Sequence, residues 1–353
     1  MSAGRNRRLV IGGALGLVLL AVFLRGVDAR ALAQAFRAAD PLLLAGVIPC
    51  TVLAYLARSW RWGYLLSPVV RVPFGHLFSA TAVGFMTGLV IPRAGEVVRP
   101  YLVARRHPIS TVAAFASIIL ERLVDLITVI VLFGLYLYVL PTPAAQATGP
   151  LLDTLEAGGA LAAFAALLVL ALLAALHLRA GQALAIAERL LRPFPARLAR
   201  PVIGGLRSFA EGLAVLQASP AHLLVIAGQS LLVWLPIALG LHWNNLAFGL
   251  DLPFHATFLL LAALTVGVAV PTPGMVGGFH AAYLLALTEA FAVDRQTAAA
   301  AGIASHAFTN VPVLLLGLVF LGREGLSMGK VAQMSDQPAA RAEEAVPSVV
   351  EAR

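Results

Sequence analysis

Long apolar runs dominate this chain and constrain what it can fold into. Six of them are long enough to cross the roughly 30 Å of hydrocarbon in a bilayer as a helix. They lie at about 9–25, 41–63, 110–140, 156–178, 220–245 and 297–321. The sequence therefore predicts an all-α polytopic membrane protein.

Two further apolar stretches, at about 76–91 and 255–270, each end in a Pro/Gly break that a second short apolar helix follows. Broken backbone at membrane depth persists only where protein or a water-filled cavity surrounds it. We therefore predict re-entrant hairpins at 76–106 and 255–291. The predicted fold has about six full spans plus two broken-helix hairpins, or eight hydrophobic segments.

Composition leaves little room for a soluble domain, because only 12% of the residues are charged where soluble domains average about 25%. Cys50 is the single cysteine, which excludes a disulfide framework and a cysteine metal cluster. The net charge of +8 comes almost entirely from arginine. We attribute it to membrane orientation and contact with anionic lipid, since no basic soluble module is present to bind nucleic acid.

The arginines favour one orientation, with the N-terminal "RNRR" in the cytoplasm. Most remaining arginines, Arg58 and Arg61 among them, then fall on the cytoplasmic side. The loops around 141–155 and 246–254 fall outside and contain neither Lys nor Arg, as the positive-inside rule expects. The segment 25–40 fits badly, because its arginines would lie outside. We predict a multi-pass protein of the bacterial inner membrane with both termini cytoplasmic.

The first apolar run has a second interpretation. The stretch "MSAGRNRRLVIGGALGLVLLAVFLR" has the layout of a signal peptide, with a small-residue cleavage site at 27–29. Because many spans follow it, we favour a retained first span.

The chain repeats itself at an offset of about 179 residues. Three pairs of segments align at nearly this offset: 38–49 with 217–228, 71–78 with 251–258, and 90–98 with 269–277. Each match is weak alone, but three together indicate an internal duplication.

The topology decides how the two copies are related. If the hairpins add no net crossing, three spans separate equivalent points and the second copy is inverted, as in many secondary transporters. If each broken segment crosses once, the repeat is parallel; we favour the inverted form. We predict a transmembrane region at 1–325 and a disordered cytoplasmic tail at 326–353. The transmembrane region contains repeat one at about 28–178, repeat two at about 207–322 and an interfacial connector at 180–217.

Six charged residues lie where apolar sequence is expected. They are Arg93, Glu96 and Arg99 in the first break, and Glu121, Arg122 and Asp125 in the run 110–140. Their charges sum to zero, which suits a self-compensated network in a medium where an isolated charge is costly. The arginines could bind a lipid phosphate, and the acids could relay protons or lock a closed state. The structural alternative is an ion-pair network that fixes hairpin to helix, or charges that reach the interface.

The second copy offers neutral polar groups for the same cavity. They are Thr272, His280, His306 and Asn310. Interhelical hydrogen bonding is the structural alternative for them. The residues predicted to break the two hairpins are Pro92, Gly95, Pro271, Pro273, Gly274, Gly277 and Gly278. A charged tip that faces a nearly neutral tip suits an amphipathic substrate with an anionic head group.

Familiar catalytic motifs are missing from the sequence. It contains no nucleophile elbow, phosphate-binding loop, zinc-protease motif or dinucleotide fingerprint, and no cofactor or metal is predicted. Glu121 and Asp125 could bind a metal in a membrane-embedded transferase, but Arg122 beside them opposes a cation.

Three motifs together resemble a known family. "PRAGEVVRPYLVARR", "ILERLVDL" and "PTPGMVGGFHAAYL" are similar to the transmembrane domain of lysylphosphatidylglycerol synthases, which also occurs alone in flippase-like membrane proteins. The resemblance covers about residues 10–322. It implies that this domain flips lipid, while a separate soluble domain of the full synthases performs aminoacyl transfer. That domain is not expected here, so we predict a non-enzymatic lipid flippase.

Three functions remain open at this point. The leading one moves an anionic or amphipathic membrane lipid through a cavity between two opposed hairpins. The others are a membrane-embedded lipid-modifying transferase and an accessory subunit of a glycolipid or glycosyltransferase system. The predicted partners are membrane lipid and a lipid-biosynthesis enzyme, with no nucleic acid.

Overall fold

The computed structural model describes residues 14, 17–21, 23–25, 27–140, 150–327 and 329, and these residues contain helices and no strand. Twelve α-helices have described bounds: α1 Ala29–Ala38, α2 Pro41–Leu66, α3 Phe74–Val90, α4 Gly95–Ala104, α5 Thr111–Tyr138, α6 Pro150–Leu178, α7 Ala180–Leu191, α8 Ala196–Gly212, α9 Pro220–Ala247, α10 Ala256–Ala269, α11 Gly278–Phe291 and α12 Arg295–Arg323. Much of the predicted first span and most of the predicted tail lie outside the described residues.

Short polar side chains begin the long helices. Asp40 caps α2 by accepting from the backbone N–H groups of its first turn, and Ser110 does the same for α5. Ser219 caps α9 and Asp294 caps α12. Such caps satisfy donors that the first helical turn leaves unpaired.

Four helices are long and apolar enough to cross a membrane within the described residues. They are α2, α6 from Asp153, α9 and α12. The outward face of α6 is almost wholly apolar, with Leu161, Phe164 and Leu172 exposed. Helix α5 has 28 residues, which at 1.5 Å per residue is also long enough, although charged residues interrupt its centre.

The first hairpin reverses direction between α3 and α4. Helix α3 ends at Val90 and α4 begins at Gly95. Arg93, at the tip, has a φ of 64°, a left-handed conformation that is costly for a residue with a Cβ. Gly84 and Gly95 bring the two helix backbones into contact, and a methyl group on either would collide with its surroundings. These glycines therefore set how closely the two arms pack.

The second hairpin reverses between α10 and α11. A 3-10 turn at Pro273–Met275 separates the helices, with positive φ at Gly274, Met275 and Gly277. Gly267 and Gly278 bring the arms into backbone contact. Both breaks thus combine a reversed tip with glycine-mediated packing of the arms.

The element order of α2–α5 recurs in α9–α12. Helices α2 and α9 both have Pro at the first position, at Pro41 and Pro220, an offset of 179. Each is followed by a broken pair and then by a long helix of 28 or 29 residues. Helices α2 and α9 pack against each other, so the groups α2–α5 and α9–α12 are in contact.

The connector is amphipathic. Helix α7 has no buried residue, whereas α8 packs on α5, where Gly212 lies against the backbone of Ala113. Pro193 and Pro195 separate α7 from α8. Helix α8 continues through Pro201.

Candidate functional site

Two buried carboxylates form the centre of the site. Glu121 is 0% exposed and Asp125 is 5% exposed, and they lie one turn apart on α5. Their i,i+4 spacing puts both on one face of the helix, toward α2 and α4. Buried carboxylates need partners that satisfy every oxygen.

Arg99 of α4 pairs with Glu121 through two parallel hydrogen bonds. Nη1 donates to Oε1 at 2.9 Å and Nη2 donates to Oε2 at 3.0 Å. The Arg99 side chain is 2% exposed. This fork geometry is the strong form of an arginine–carboxylate pair, and it fixes the first hairpin to α5.

Arg58 and Arg61 of α2 pair with the second carboxylate. Arg58 Nη1 lies 2.6 Å from Asp125 Oδ2 and 3.3 Å from Glu121 Oε1. Arg61 Nη2 lies 2.6 Å from Asp125 Oδ1, which also accepts from Trp234 Nε1 at 3.1 Å. The acids therefore join α2, α4, α5 and α9 into one unit.

Arg58 and Arg61 are site residues that were not predicted from the sequence. Their place near the end of the predicted span 41–63 suggested cytoplasmic orientation charges, but α2 continues to Leu66 and both side chains are buried. Their i,i+3 spacing inside an apolar helix matches that of Arg122 and Asp125. That spacing was the available signal that two charges share one inward face.

Arg122 lies at the edge of the same network. Its Nη2 donates to Glu121 Oε1 at 2.9 Å, and its Nη1 is 3.7 Å from Asp125 Oδ2. Unlike the others, its side chain is 40% exposed. We call the set Arg58, Arg61, Arg99, Glu121, Arg122 and Asp125 the arginine cluster.

One aromatic ring lies among three of the guanidinium groups. The Cζ atoms of Arg58, Arg99 and Arg122 are 5.3, 5.2 and 5.6 Å from the centroid of Phe85. Arg99 Cζ is also 4.5 Å from the Trp62 ring. The negative faces of aromatic rings attract cations, so these rings help to keep like charges close together.

The arginine cluster has an excess of positive charge. Four guanidinium groups face two carboxylates, which leaves a formal charge of +2. The neutral network predicted from the sequence was wrong, because it included Arg93 and Glu96 and lacked Arg58 and Arg61. The structure leaves Arg93 and Glu96 exposed, outside the buried ion pairs.

A cavity of about 230 Å³ opens beside the cluster, between the two breaks. Both hairpins line this central cavity, through Pro92, Arg93, Glu96, Pro271, Thr272 and Met275. The tips also touch, because Arg93 Nη2 lies 3.4 Å from the carbonyl oxygen of Ala269. Arg99, Arg122, Phe85 and Tyr55 complete the charged and aromatic side of the cavity.

The predicted polar residues of the second copy divide into two groups. Thr272 and Asn310 line the central cavity, although Thr272 donates its hydroxyl to the carbonyl of Val276. His306 Nε2 lies 2.7 Å from the carbonyl oxygen of Gly274, so it holds the second break. His280 is buried, with its ring centroid 4.6 Å from that of His306. Neither histidine lines the cavity.

The predicted hairpin-break residues lie in or beside the two reversals. Pro92 and Pro271 line the central cavity, and Pro273 begins the 3-10 turn. Gly95 and Gly278 are the first residues of α4 and α11 and contact the opposite arm of their hairpins. Gly274 and Gly277 supply positive φ angles. The glycines thus shape the tips, and Gly95 alone among them also lines the cavity.

A second cavity of about 120 Å³ lies between α2 and α9. Its lining is mostly apolar and includes Cys50, Pro236 and Phe279, with Arg58 at its charged end. Tyr55 lines both cavities, and its ring meets Phe85 edge-on at 4.9 Å. Tyr55 therefore lies between the two spaces.

The chemistry open to this site is electrostatic binding of an anion. Among the described residues, no group of three or more His, Cys, Asp or Glu side chains is placed to hold a metal ion. Both carboxylates are engaged with arginine, while Arg99 and Arg122 reach the cavity wall. Guanidinium groups suit phosphate oxygens because their fork donates two parallel hydrogen bonds.

Comparisons with known proteins find a family model and relatives that match most of this chain. A family model described as "Lysylphosphatidylglycerol synthase TM region" matches residues 9–317. The chain is 27% identical over 339 residues to Glycosyltransferase AglD of Haloferax volcanii, which covers 89% of this chain and 54% of AglD. It is 24% identical over 339 residues to a UPF0104 membrane protein of Methanothermobacter thermautotrophicus, which covers 90% of this chain and 95% of that protein. The chain therefore spans about half the length of the first relative.

Proposed function

The chain belongs to the lysylphosphatidylglycerol synthase transmembrane-region family, and from that membership we propose that it is a lipid flippase or transporter. The family match confirms the resemblance that the three motifs carried, and the chain is a polytopic membrane protein. In this proposal, it moves an anionic or amphipathic lipid between leaflets of the cytoplasmic membrane. Both termini would lie in the cytoplasm.

The observation that carries the proposal is the position of the arginine cluster beside a cavity that both hairpins line. Arg99 and Arg122 present guanidinium groups to that cavity, and Thr272 and Asn310 face it from the second copy. A lipid phosphate would contact the arginines, while the apolar wall accommodates the first part of the acyl chains. Glu121 and Asp125 hold the guanidinium groups in place.

The duplicated order of helices supports a transport mechanism. We propose that repeat one, about 28–178, and repeat two, about 207–322, are inverted copies whose hairpins enter from opposite faces. In transporters built this way, rocking of one repeat against the other exposes a midplane site to each side in turn. The contact between Arg93 and Ala269 is where the tips would separate.

A second candidate is an accessory membrane subunit of a glycolipid or glycosyltransferase system. The observation that favours it is the similarity to a protein named Glycosyltransferase AglD, of which this chain spans 54%. In that role the chain would bind lipid for a partner enzyme and would not move it alone. A membrane-embedded lipid-modifying transferase is the third candidate function.

Lipid movement in proteoliposomes tests the proposal. Fluorescent lipids with several head groups are placed in the inner leaflet, and their arrival outside is followed by dithionite quenching. We expect protein-dependent movement that Arg122→Gln lowers at least tenfold. Arg189→Gln is the matched control, because Arg189 is exposed on α7, away from the cavity.

The outcomes separate the candidates. No movement of any head group by folded wild-type protein would reject the flippase proposal. Lipid movement that occurs only in the presence of a partner protein, one that co-purifies at fixed stoichiometry, would favour the accessory subunit. Chemical conversion of a lipid by the purified chain would favour the transferase.

A further inference from the structure

The excess charge of the arginine cluster narrows the class of head group. Two positive charges remain after Glu121 and Asp125 are paired. In a poorly hydrated interior, uncompensated charge is far more costly than at a surface. A ligand that neutralises the excess is therefore favoured over one that leaves part of it.

Two arginines of the cluster mark where such a ligand would lie. The Nε atoms of Arg99 and Arg122 are buried and have no hydrogen-bond partner. Both residues line the central cavity. Their guanidinium groups are therefore the part of the cluster that acceptor oxygens in the cavity would meet.

No other described residue at the cavity offsets the excess. Arg93 and Glu96, which both line it, cancel each other. The second hairpin and α12 contribute Thr272, Met275 and Asn310, which are uncharged. Helix α9 contributes only the neutral Ser230 and Trp234 to the cluster.

From these observations we infer that the head group carries two negative charges where it meets the cluster, as a terminal phosphomonoester or a diphosphate does. This inference rests on the proposed lipid-binding function and specifies its substrate class. A phosphodiester brings one charge and leaves the site at +1. A dianion brings the formal sum to zero and offers more oxygens to Arg99 and Arg122.

Binding of short-chain lipids to the detergent-solubilised full chain tests the inference. The probes are dioctanoyl phosphatidic acid, a phosphomonoester, and dioctanoyl phosphatidylglycerol, a phosphodiester, with dioctanoyl phosphatidylcholine as the zwitterion. We expect a Kd about tenfold lower for phosphatidic acid than for phosphatidylglycerol at pH 8. Equal affinities at pH 8 would overturn the inference.

The pH dependence provides an independent readout without any variant. A phosphomonoester takes its second charge with a pKa near 6, whereas a phosphodiester stays singly charged. The charged residues that line the cavity are Arg93, Glu96, Arg99 and Arg122, and no described histidine lines it. The tenfold preference should therefore approach equality at pH 5, and a preference unchanged between pH 8 and pH 5 would contradict the inference.

Two further binding measurements identify which groups cause the preference for a dianion. Arg122→Gln, checked for folding by size exclusion, should reduce the preference at pH 8 to about threefold or less, whereas Arg189→Gln should retain it. Inorganic phosphate should bind more weakly than phosphatidic acid, because it lacks chains for the apolar wall. Equal binding of inorganic phosphate would reassign the site to a soluble anion.

The inference and the proposed function can fail separately. If phosphatidylglycerol binds as tightly as phosphatidic acid but lipids still move in proteoliposomes, only the charge assignment is wrong. If phosphatidic acid is preferred but no lipid moves, the dianion site stands and translocation is wrong.

Discussion

Arg61 and Asp125 lie on different helices, α2 and α5, with Nη2 of the arginine 2.6 Å from Oδ1 of the aspartate. The Arg61 side chain is 0% exposed and the Asp125 side chain is 8% exposed. A charge pair this deeply buried tolerates the loss of neither partner. Arg61 was predicted only as a charge that orients the protein in the membrane, whereas Asp125 was predicted to lie in the site.

Removal of the Asp125 charge should destabilise the protein strongly. Asp125→Asn would leave Arg58 and Arg61 without their main counter-ion, and breaking a buried pair costs about 3–5 kcal/mol. Thermal unfolding in detergent should show a clear drop in Tm. Glu188→Gln, at an exposed site on α7, is the control, and equal Tm values for the two variants would contradict the burial of the pair.

A methyl group at Gly95 should separate the arms of the first hairpin. In Gly95→Ala, the added Cβ would collide with the backbone of Gly84, and overpacking of this kind costs about 1–3 kcal/mol. Gly75→Ala adds the same methyl group on α3, where nothing lies within 4 Å. We expect a lower Tm for the first variant only, with reduced lipid movement.

Two substitutions of Arg93 should differ in their effect on stability. Its φ of 64° suits glycine and disfavours β-branched residues. Arg93→Gly and Arg93→Val remove the same charge, but the Val variant should unfold at a lower temperature than the Gly variant. The difference should be about 1–2 kcal/mol. If both variants unfold at the same temperature, residue 93 does not adopt the left-handed conformation in solution.

Loss of the Tyr55 ring should join the two cavities. Tyr55→Ala would connect the central cavity with the second cavity, where Cys50 is 6% exposed. Cys50 is the single cysteine, so its labelling by a small maleimide reports access directly. We expect labelling at least tenfold faster in Tyr55→Ala than in wild type, with Tyr55→Phe close to wild type. Unchanged labelling would show that another group closes the path.

Acid should weaken the contact between α3 and the turn after α4. His76 Nδ1 lies 3.0 Å from His107 Nε2. Partial burial lowers the pKa of His107, and His76 and Arg106 lower it further. Because of this lowered pKa, the unfolded chain binds a proton at His107 more tightly than the folded chain does. The contribution of neutral His107 to stability is therefore full above a pH of about 6.5 and declines as the pH falls through that value. His107→Gln should reduce the loss of Tm between pH 7.5 and 5.5.

Much of the helical layout follows from local sequence. Capping residues such as Asp40 and Ser110 and apolar runs of membrane length act within one or two helical turns, so they can be recognised without a structure. Proline and glycine in the two breaks act equally locally. Pro41 and Pro220, 179 residues apart, each begin a long helix.

The composition of the site was only partly predictable. Glu121, Arg122 and Asp125 are visible because charge inside an apolar run is costly wherever it lies. Phe85 and Tyr55 give no such signal, since aromatic residues are ordinary in membrane helices. Their role depends on which side chains α3 and α2 bring near the arginines.

The sequence by itself determined the class of the protein, the positions of the breaks and the chemistry of the charged residues on α5. The tertiary structure decided which charges meet. It buried Arg58 and Arg61 against Asp125 and left Arg93 and Glu96 exposed, which changed the formal charge of the network from zero to +2. The physical reason is that apolarity and backbone breaks act over a few neighbouring residues. By contrast, the pairing of Arg58 and Arg61 with Asp125 joins residues more than 60 positions apart in the chain.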